Sequence, residues 1–120
     1  WINQNLDSVQ LSPPTPLPGS DFYDSMKEQG RILTEDWSLY DCQHVVMRPK
    51  HISPYKLQKT IIEMYKDFYS LKNSLKRLIK YPNRKTAAGI LVYHHVFRGM
   101  NKVINSPQTQ SHLEFLKSVS

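Results

Sequence analysis

From Leu57 to Leu78, seven apolar residues recur in alternating steps of four and three: Leu57, Ile61, Met64, Phe68, Leu71, Leu75 and Leu78. Only an α-helix puts that spacing on one face, so the stripe forces a helical second half. Ile62, Tyr65, Tyr69 and Ile79 widen it, and Lys56, Lys59, Lys66, Lys72, Lys76, Arg77 and Lys80 fill the other faces. Ser53 is a natural N-cap and Pro54 suits the first helical position. Pro82 ends the helix near Tyr81, because the residue before a proline is pushed out of helical geometry. A second run of threes and fours, from Ala87 through Ile90, Leu91, His94, Phe97, Met100 and Asn101 to Ile104, predicts a helix over Arg84–Ile104. Joined through Tyr81-Pro82-Asn83, the two make a long αα-hairpin. Asn105-Ser106-Pro107 breaks the chain. Ser111 to Val119 reads as a short last helix with Leu113, Leu116 and Val119 inward.

The start of the chain obeys different rules. Val9-Gln10-Leu11 alternates like a brief strand. Pro13, Pro14, Pro16 and Pro18 follow, and with φ fixed and donors missing they leave only an extended loop. Gly19 supplies a turn and Ser20 an N-cap. A helix then runs to Gln29, with Asp21 and Asp24 at its positive end and Phe22, Tyr23 and Met26 on its apolar face. Gly30 is its C′ residue. Strand, loop and helix form a β-to-α unit, which needs a parallel sheet beside it. Residues 1–30 are therefore expected to be loosely held and easily cleaved before Arg31. Residues 31–53 read as an extended connector: Thr34 or Asp36 caps a helical turn over Trp37–Tyr40, and Gln43–Met47 forms a strand or an extended wall that Pro49 stops. Residues 54–120 are the helical C-terminal domain. The fold class is mainly α.

Charge and cysteine content narrow the functions. The chain carries a net +6, compatible with an anionic partner, although a solvated basic face is the favoured reading. Cys42 is the single cysteine, so an internal disulfide and a cysteine-rich metal site are both excluded. No apolar run is long enough to cross a membrane, and the first residues are unlike a secretory signal. WINQNLDSVQL reads as the interior of a longer protein, and a cytoplasmic location is expected.

Several side-chain groups could carry chemistry, and each has a plainer reading. Cys42 and His44, with His51 nearby, make too small a ligand set for a structural metal, and Cys42 is read as a small buried hydrophobe. His94 and His95 are adjacent on a helix and face different ways; His94 is read as a core histidine. Glu35, Asp36 and Asp41 surround Trp37 and could supply an acid and a base, but caps and surface charge explain them equally. Tyr65, Phe68 and Tyr69 on a lysine-rich helix could stack on bases, yet they lie on the apolar stripe and are read as core.

The run QLSPPTPLPGSDFYDSMKEQGRI resembles the end of the radical S-adenosylmethionine (SAM) core, where a late barrel strand enters a TPxPGT-like loop and then a helix closed by a Gly-Arg-hydrophobic turn. Thr15-Pro16-Leu17-Pro18-Gly19-Ser20 matches that loop, with Ser20 where threonine is commoner. The following TEDWSLYDCQHVVMRPKHISPYKLQ is similar to the C-terminal extension of radical SAM Fe–S oxidoreductases and methyltransferases of the cobalamin-binding-domain class. Asp36, Trp37, Tyr40, Asp41, His44, Val45, Val46, Pro49, Ser53, Pro54, Leu57 and the Phe68-Tyr69 pair carry that similarity. The resemblance implies a parent enzyme with a partial (β/α) barrel, a 4Fe–4S cluster, S-adenosylmethionine and cobalamin. It makes residues 1–30 a remnant of the barrel end. It places Gln10, Ser12 and Thr15 near the cofactor, and Trp37, Tyr40 and His44 on the substrate side. The three-cysteine cluster motif is absent, so the segment is expected to be inert alone, with no catalytic residue and no metal or cofactor of its own.

The implied partner is the remainder of that barrel. Two other readings stand beside it: a basic helical module that binds nucleic acid, which is the disfavoured partner, and a helical oligomerisation domain that buries its stripe in a second copy as a homodimer.

Overall fold

The computed structural model describes residues 9–80, 95, 96, 98, 99 and 101–120, without the side chains of 71, 74, 77, 78 and 80. Within these residues the protein is mainly helical: α1 (Asp21–Glu28), a 3-10 turn (Trp37–Leu39), α2 (Pro54–Phe68), α3 (Leu71–Lys80) and α4 (Pro107–Ser118). No named strand occurs among the described residues. One isolated antiparallel bridge joins Ile32 to Met47. The expected hairpin partner over Arg84–Ile104 falls mostly outside the described residues, as does His94; residues 101–104 are helical.

Local chemistry explains the helix ends. The Ser20 side chain accepts from the Tyr23 N–H at 3.2 Å. At the other end of α1, Gly30 sits at φ +61, a conformation that costs a residue bearing a Cβ about 1–2 kcal/mol. Its N–H reaches the Lys27 carbonyl while the Arg31 N–H reaches that of Met26, both at 2.9 Å, and the helix closes in a Schellman motif. Ser53 and Pro54 open α2 as the sequence predicts, with the Lys56 N–H on the Ser53 hydroxyl at 3.2 Å. Ser106 and Pro107 open α4 with the same pair, the Thr109 N–H lying 3.2 Å from the Ser106 hydroxyl. The last helix thus begins at Pro107 rather than Ser111. His112 and Thr109 turn inward with Leu116, while Leu113 and Val119 stay half-buried.

The single helix predicted from Pro54 to Tyr81 is two helices. Asn73 makes the break: its side-chain amide donates to the Asp67 carbonyl at 2.8 Å and to the Asp67 carboxylate at 3.1 Å. Its own N–H takes the Ser70 hydroxyl at 3.3 Å. One end is capped and the next is opened by residues that an apolar period does not register. The stripe is buried along α2 at Ile61 and Phe68, but Leu75 on α3 is 58% exposed.

The core lies where α2 packs on α4. The segment after the 3-10 turn runs between them, with Val45 and Val46 fully buried. It is the extended wall the sequence suggests. Leu33 N–H bonds Val46 O at 2.9 Å, and Arg48 N–H bonds Arg31 O at 2.8 Å. Phe22, placed by the sequence on the inner face of α1, is 41% exposed, while Tyr23 and Met26 are buried. Cys42 is half-buried rather than core and has φ +61. It sits in a turn where the Asp41 carboxylate takes the N–H groups of Gln43 and His44 at 2.8 and 3.1 Å.

Val9–Leu11 is extended, but its backbone partners are side chains, not a strand. The Tyr69 hydroxyl bonds the N–H and C=O of Val9 at 3.3 and 3.2 Å. That of Tyr65 does the same for Leu11 at 2.6 and 3.0 Å. Pro13 and Pro16 are buried just beyond. These bonds tie residues 9 and 11 to Tyr65 on α2 and to Tyr69 just past its end.

Candidate functional site

Two clusters gather the residues the sequence singles out. The first is a buried polar network around His44. The Asp41 carboxylate, whose oxygens each lie 3.0 Å from His44 Nδ1, holds the ring so that Nδ1–H donates to it. His44 Nε2 lies 3.2 Å from the Thr109 hydroxyl. That hydroxyl, with one proton to share between His44 Nε2 and the Val103 carbonyl 2.9 Å away, accepts from Ser106 at 3.0 Å. Carboxylate, imidazole and hydroxyl stand in the order of a hydrolytic triad, but Thr109 is only 4% exposed. It lines a cavity of about 30 Å³ together with Leu11, Gln58 and Ile104, room for about one water. A nucleophile needs space for its substrate. The triad is therefore a tie between the wall and α4.

Gln58 and His112 complete the network. The Gln58 carbonyl oxygen accepts from Val45 N–H at 2.7 Å and its amide donates to Gln43 O at 3.0 Å. One α2 side chain thus does for the wall what a neighbouring strand would do. His112 Nε2 donates to the Val45 carbonyl at 2.9 Å, and its ring meets His44 edge-on at a centroid distance of 5.2 Å. Its buried Nδ1 has no hydrogen-bond partner among the described residues. Burial pushes the His112 pKa below the ordinary 6.5, partly opposed by the bond to Val45 O.

The second cluster is aromatic and open. Trp37 lies 4.9 Å from Tyr40 and 6.2 Å from Tyr23, centroid to centroid. Trp37 is 53% exposed, so it is braced from behind and bare in front. Asp36 aims it by capping the 3-10 turn, with Ser38 donating from its hydroxyl at 2.7 Å and its N–H at 3.0 Å. Those bonds hold the Asp36 carboxyl below its ordinary pKa of 3.8. The Tyr40 hydroxyl donates to Thr34 O at 2.8 Å, and burial raises its pKa above 10.0. The Lys27 ammonium stands 5.7 Å from the Tyr23 ring and 3.6 Å from the exposed Glu35 carboxylate. Glu35, Asp36 and Asp41 are thus divided among a surface ion pair, a helix cap and a histidine partner, and no acid–base pair forms from them.

Of the residues expected near a cofactor, Gln10 and Ser12 are exposed, and the half-buried Thr15 turns its hydroxyl onto Pro13 O at 3.1 Å. Among those expected on the substrate side, Trp37 and Tyr40 stand together on the surface while His44 is buried apart. Phe68 and Tyr69 are buried as the sequence suggests. A wider groove of about 320 Å³ runs between Arg48–Pro54 and Val119–Ser120. Two bonds cross it, from the Arg48 guanidinium to Val119 O at 3.1 Å and from the Tyr55 N–H to Ser120 Oγ at 3.2 Å.

Gln58, Thr109 and His112 escape a reading that counts only apolar positions. Thr109, His112 and Leu116 nonetheless follow at three and four, the signal by which a polar core face could be found. The described residues contain no group of three His, Cys, Asp or Glu side chains able to hold a metal ion. Nor is any helix among them long and apolar enough to cross a membrane.

The chain is similar to two methyltransferases of Chlorobaculum tepidum. It is 31% identical to bacteriochlorophyllide d C-8(2)-methyltransferase over 70 residues, covering 58% of this chain and 16% of that protein. It is 31% identical to bacteriochlorophyllide d C-12(1)-methyltransferase over 79 residues, covering 65% of this chain and 17% of that protein. The chain thus spans about a sixth of the length of these curated relatives. No protein-family model matches it, and no solved structure matches it.

Proposed function

We propose that this chain is the C-terminal part of a radical SAM methyltransferase, closing the end of the barrel and shaping the substrate side. The observation that carries the reading is the similarity to two bacteriochlorophyllide methyltransferases. The DWSLYDCQHVVMRP and ISPYKL motifs support it, as does a bare, braced Trp37 in the segment assigned to the substrate side. In that protein, S-adenosylmethionine and a 4Fe–4S cluster, with cobalamin in the class the motifs resemble, supply the radical and methyl-transfer chemistry. This segment does not fit the cluster, because Cys42 is its only thiol and three thiolates are needed. The cluster ligands come from outside it.

The residues here act by position. The ties from Tyr65 and Tyr69 fix the edge that carries Gln10 and Ser12. The Asp41–His44–Thr109 and Gln58 bonds fix the wall behind Trp37 and Tyr40. An aromatic face of this kind suits a flat conjugated substrate, of which a bacteriochlorophyllide is one.

The upstream coding sequence tests the reading. An in-frame CxxxCxxC after a predicted strand supports it. An initiator codon directly before Trp1 removes it. In the intact protein, Trp37→Ala should lower turnover of a tetrapyrrole substrate and leave reductive cleavage of S-adenosylmethionine intact.

A further inference from the structure

The positive charge of this chain is not spread along it. Eight of its 16 Lys and Arg residues lie between Asp67 and Glu114, and none of its 10 Asp and Glu residues does. That stretch alone exceeds the net +6, and the rest of the chain is net negative. It opens with α3, whose ten residues LKNSLKRLIK include four basic ones.

On α3 the charge meets bare apolar surface. Leu75 is 58% exposed and Ile79 is 74% exposed. Four apart, they share one helix face. Lys72 and Lys76, three residues before each of them, are also exposed. Single exposed aliphatics need no explanation, but two neighbours on one face, fenced by lysines on a helix that carries no acidic residue of its own, do. A nucleic acid would neutralise the lysines and leave Leu75 and Ile79 in water. A bilayer surface takes both, with phosphates for the ammonium groups and an acyl boundary for the aliphatic tips.

We infer that α3 docks on the surface of an anionic phospholipid bilayer, with Leu75 and Ile79 entering the headgroup–acyl boundary and Lys72 and Lys76 on lipid phosphates. The surface is separate from the Trp37 cluster, and the inference holds whatever reaction the parent protein performs.

The test is co-sedimentation of the full 120-residue chain with vesicles of phosphatidylcholine alone or containing about 30% phosphatidylglycerol. Binding to the anionic vesicles is expected, weakening as salt rises from about 0.1 to about 0.5 M. L75E/I79E should lower binding by more than roughly tenfold, and K72A/K76A by roughly fivefold per lysine removed. Both pairs are exposed, so the variants should keep the parent circular dichroism. Unchanged vesicle binding by L75E/I79E would overturn the insertion. So would tighter binding to polyuridylic acid than to the anionic vesicles. A dimer that forms without vesicles and is dissolved by L75E/I79E would give the face to a second copy and overturn the inference as well.

Discussion

The Tyr65 hydroxyl accepts the Leu11 N–H at 2.6 Å and donates to the Leu11 carbonyl at 3.0 Å. One phenol thus satisfies both backbone groups of a residue 54 positions away, as a neighbouring strand would. Tyr65→Phe should leave both unpaired and lower stability by about 1–3 kcal/mol in urea denaturation. Y65F/Y69F should release residues 9–16, and limited proteolysis should then cut before Arg31 far faster than in the parent chain. Equal cleavage of both would show that the buried prolines hold the segment instead.

Gln58 occupies the same role for the wall. Gln58→Leu keeps most of the volume but strips partners from Val45 N–H and Gln43 O. Two backbone groups left unpaired at about 1–3 kcal/mol each predict a loss of about 2–6 kcal/mol. A loss below about 1 kcal/mol would mean that water replaces the side chain.

His112 makes stability depend on pH. Its pKa is lowered in the fold by burial, so the unfolded chain, at the ordinary 6.5, binds the proton first. Above 6.5 the group is neutral in both states and contributes no pH dependence. As pH falls through 6.5 toward the folded pKa, the unfolded state gains the proton and stability declines. His44, Asp41 and Asp36 act on the same ring: His44 reinforces the lowering and the two carboxylates oppose it. Urea midpoints at pH 8, 6 and 5 should fall in that order, and His112→Gln should flatten part of the fall. An equal slope in the variant would assign the acid sensitivity to other groups.

Trp37 should matter little to folding. Its ring contacts with Tyr40 and Tyr23 are worth about 0.5–1.5 kcal/mol beyond area burial, and half its surface is in water already. Trp37→Ala should therefore cost stability by no more than about 2 kcal/mol, while removing the platform on which the proposed substrate contact depends. A much larger loss, measured by thermal unfolding, would make Trp37 a structural residue.

Much of this architecture was legible in the residue order because local rules act within a turn or two. Ser20 with Gly30, Asp36 before Trp37, and Ser53-Pro54 set helix ends through bonds and backbone preferences that need no distant partner. The DWSLYD and HVVMRP motifs likewise resemble the radical SAM class, a reading with which the similarity to two methyltransferases is consistent. The break at Tyr69–Ser70 was hidden because an apolar period does not see an asparagine bonding backward to Asp67.

What tertiary structure alone decided is where polar groups find partners. Sequence marked Val9–Leu11 and Gln43–Met47 as strand-prone, since extended backbone and β-branched residues are local properties. It did not say that Tyr65, Tyr69, Gln58 and His112 would take the place of strands, because those partners lie between 13 and 67 residues away. Buried N–H and C=O groups must be paired, and which side chain pairs them is settled only when α2 and α4 close over the wall.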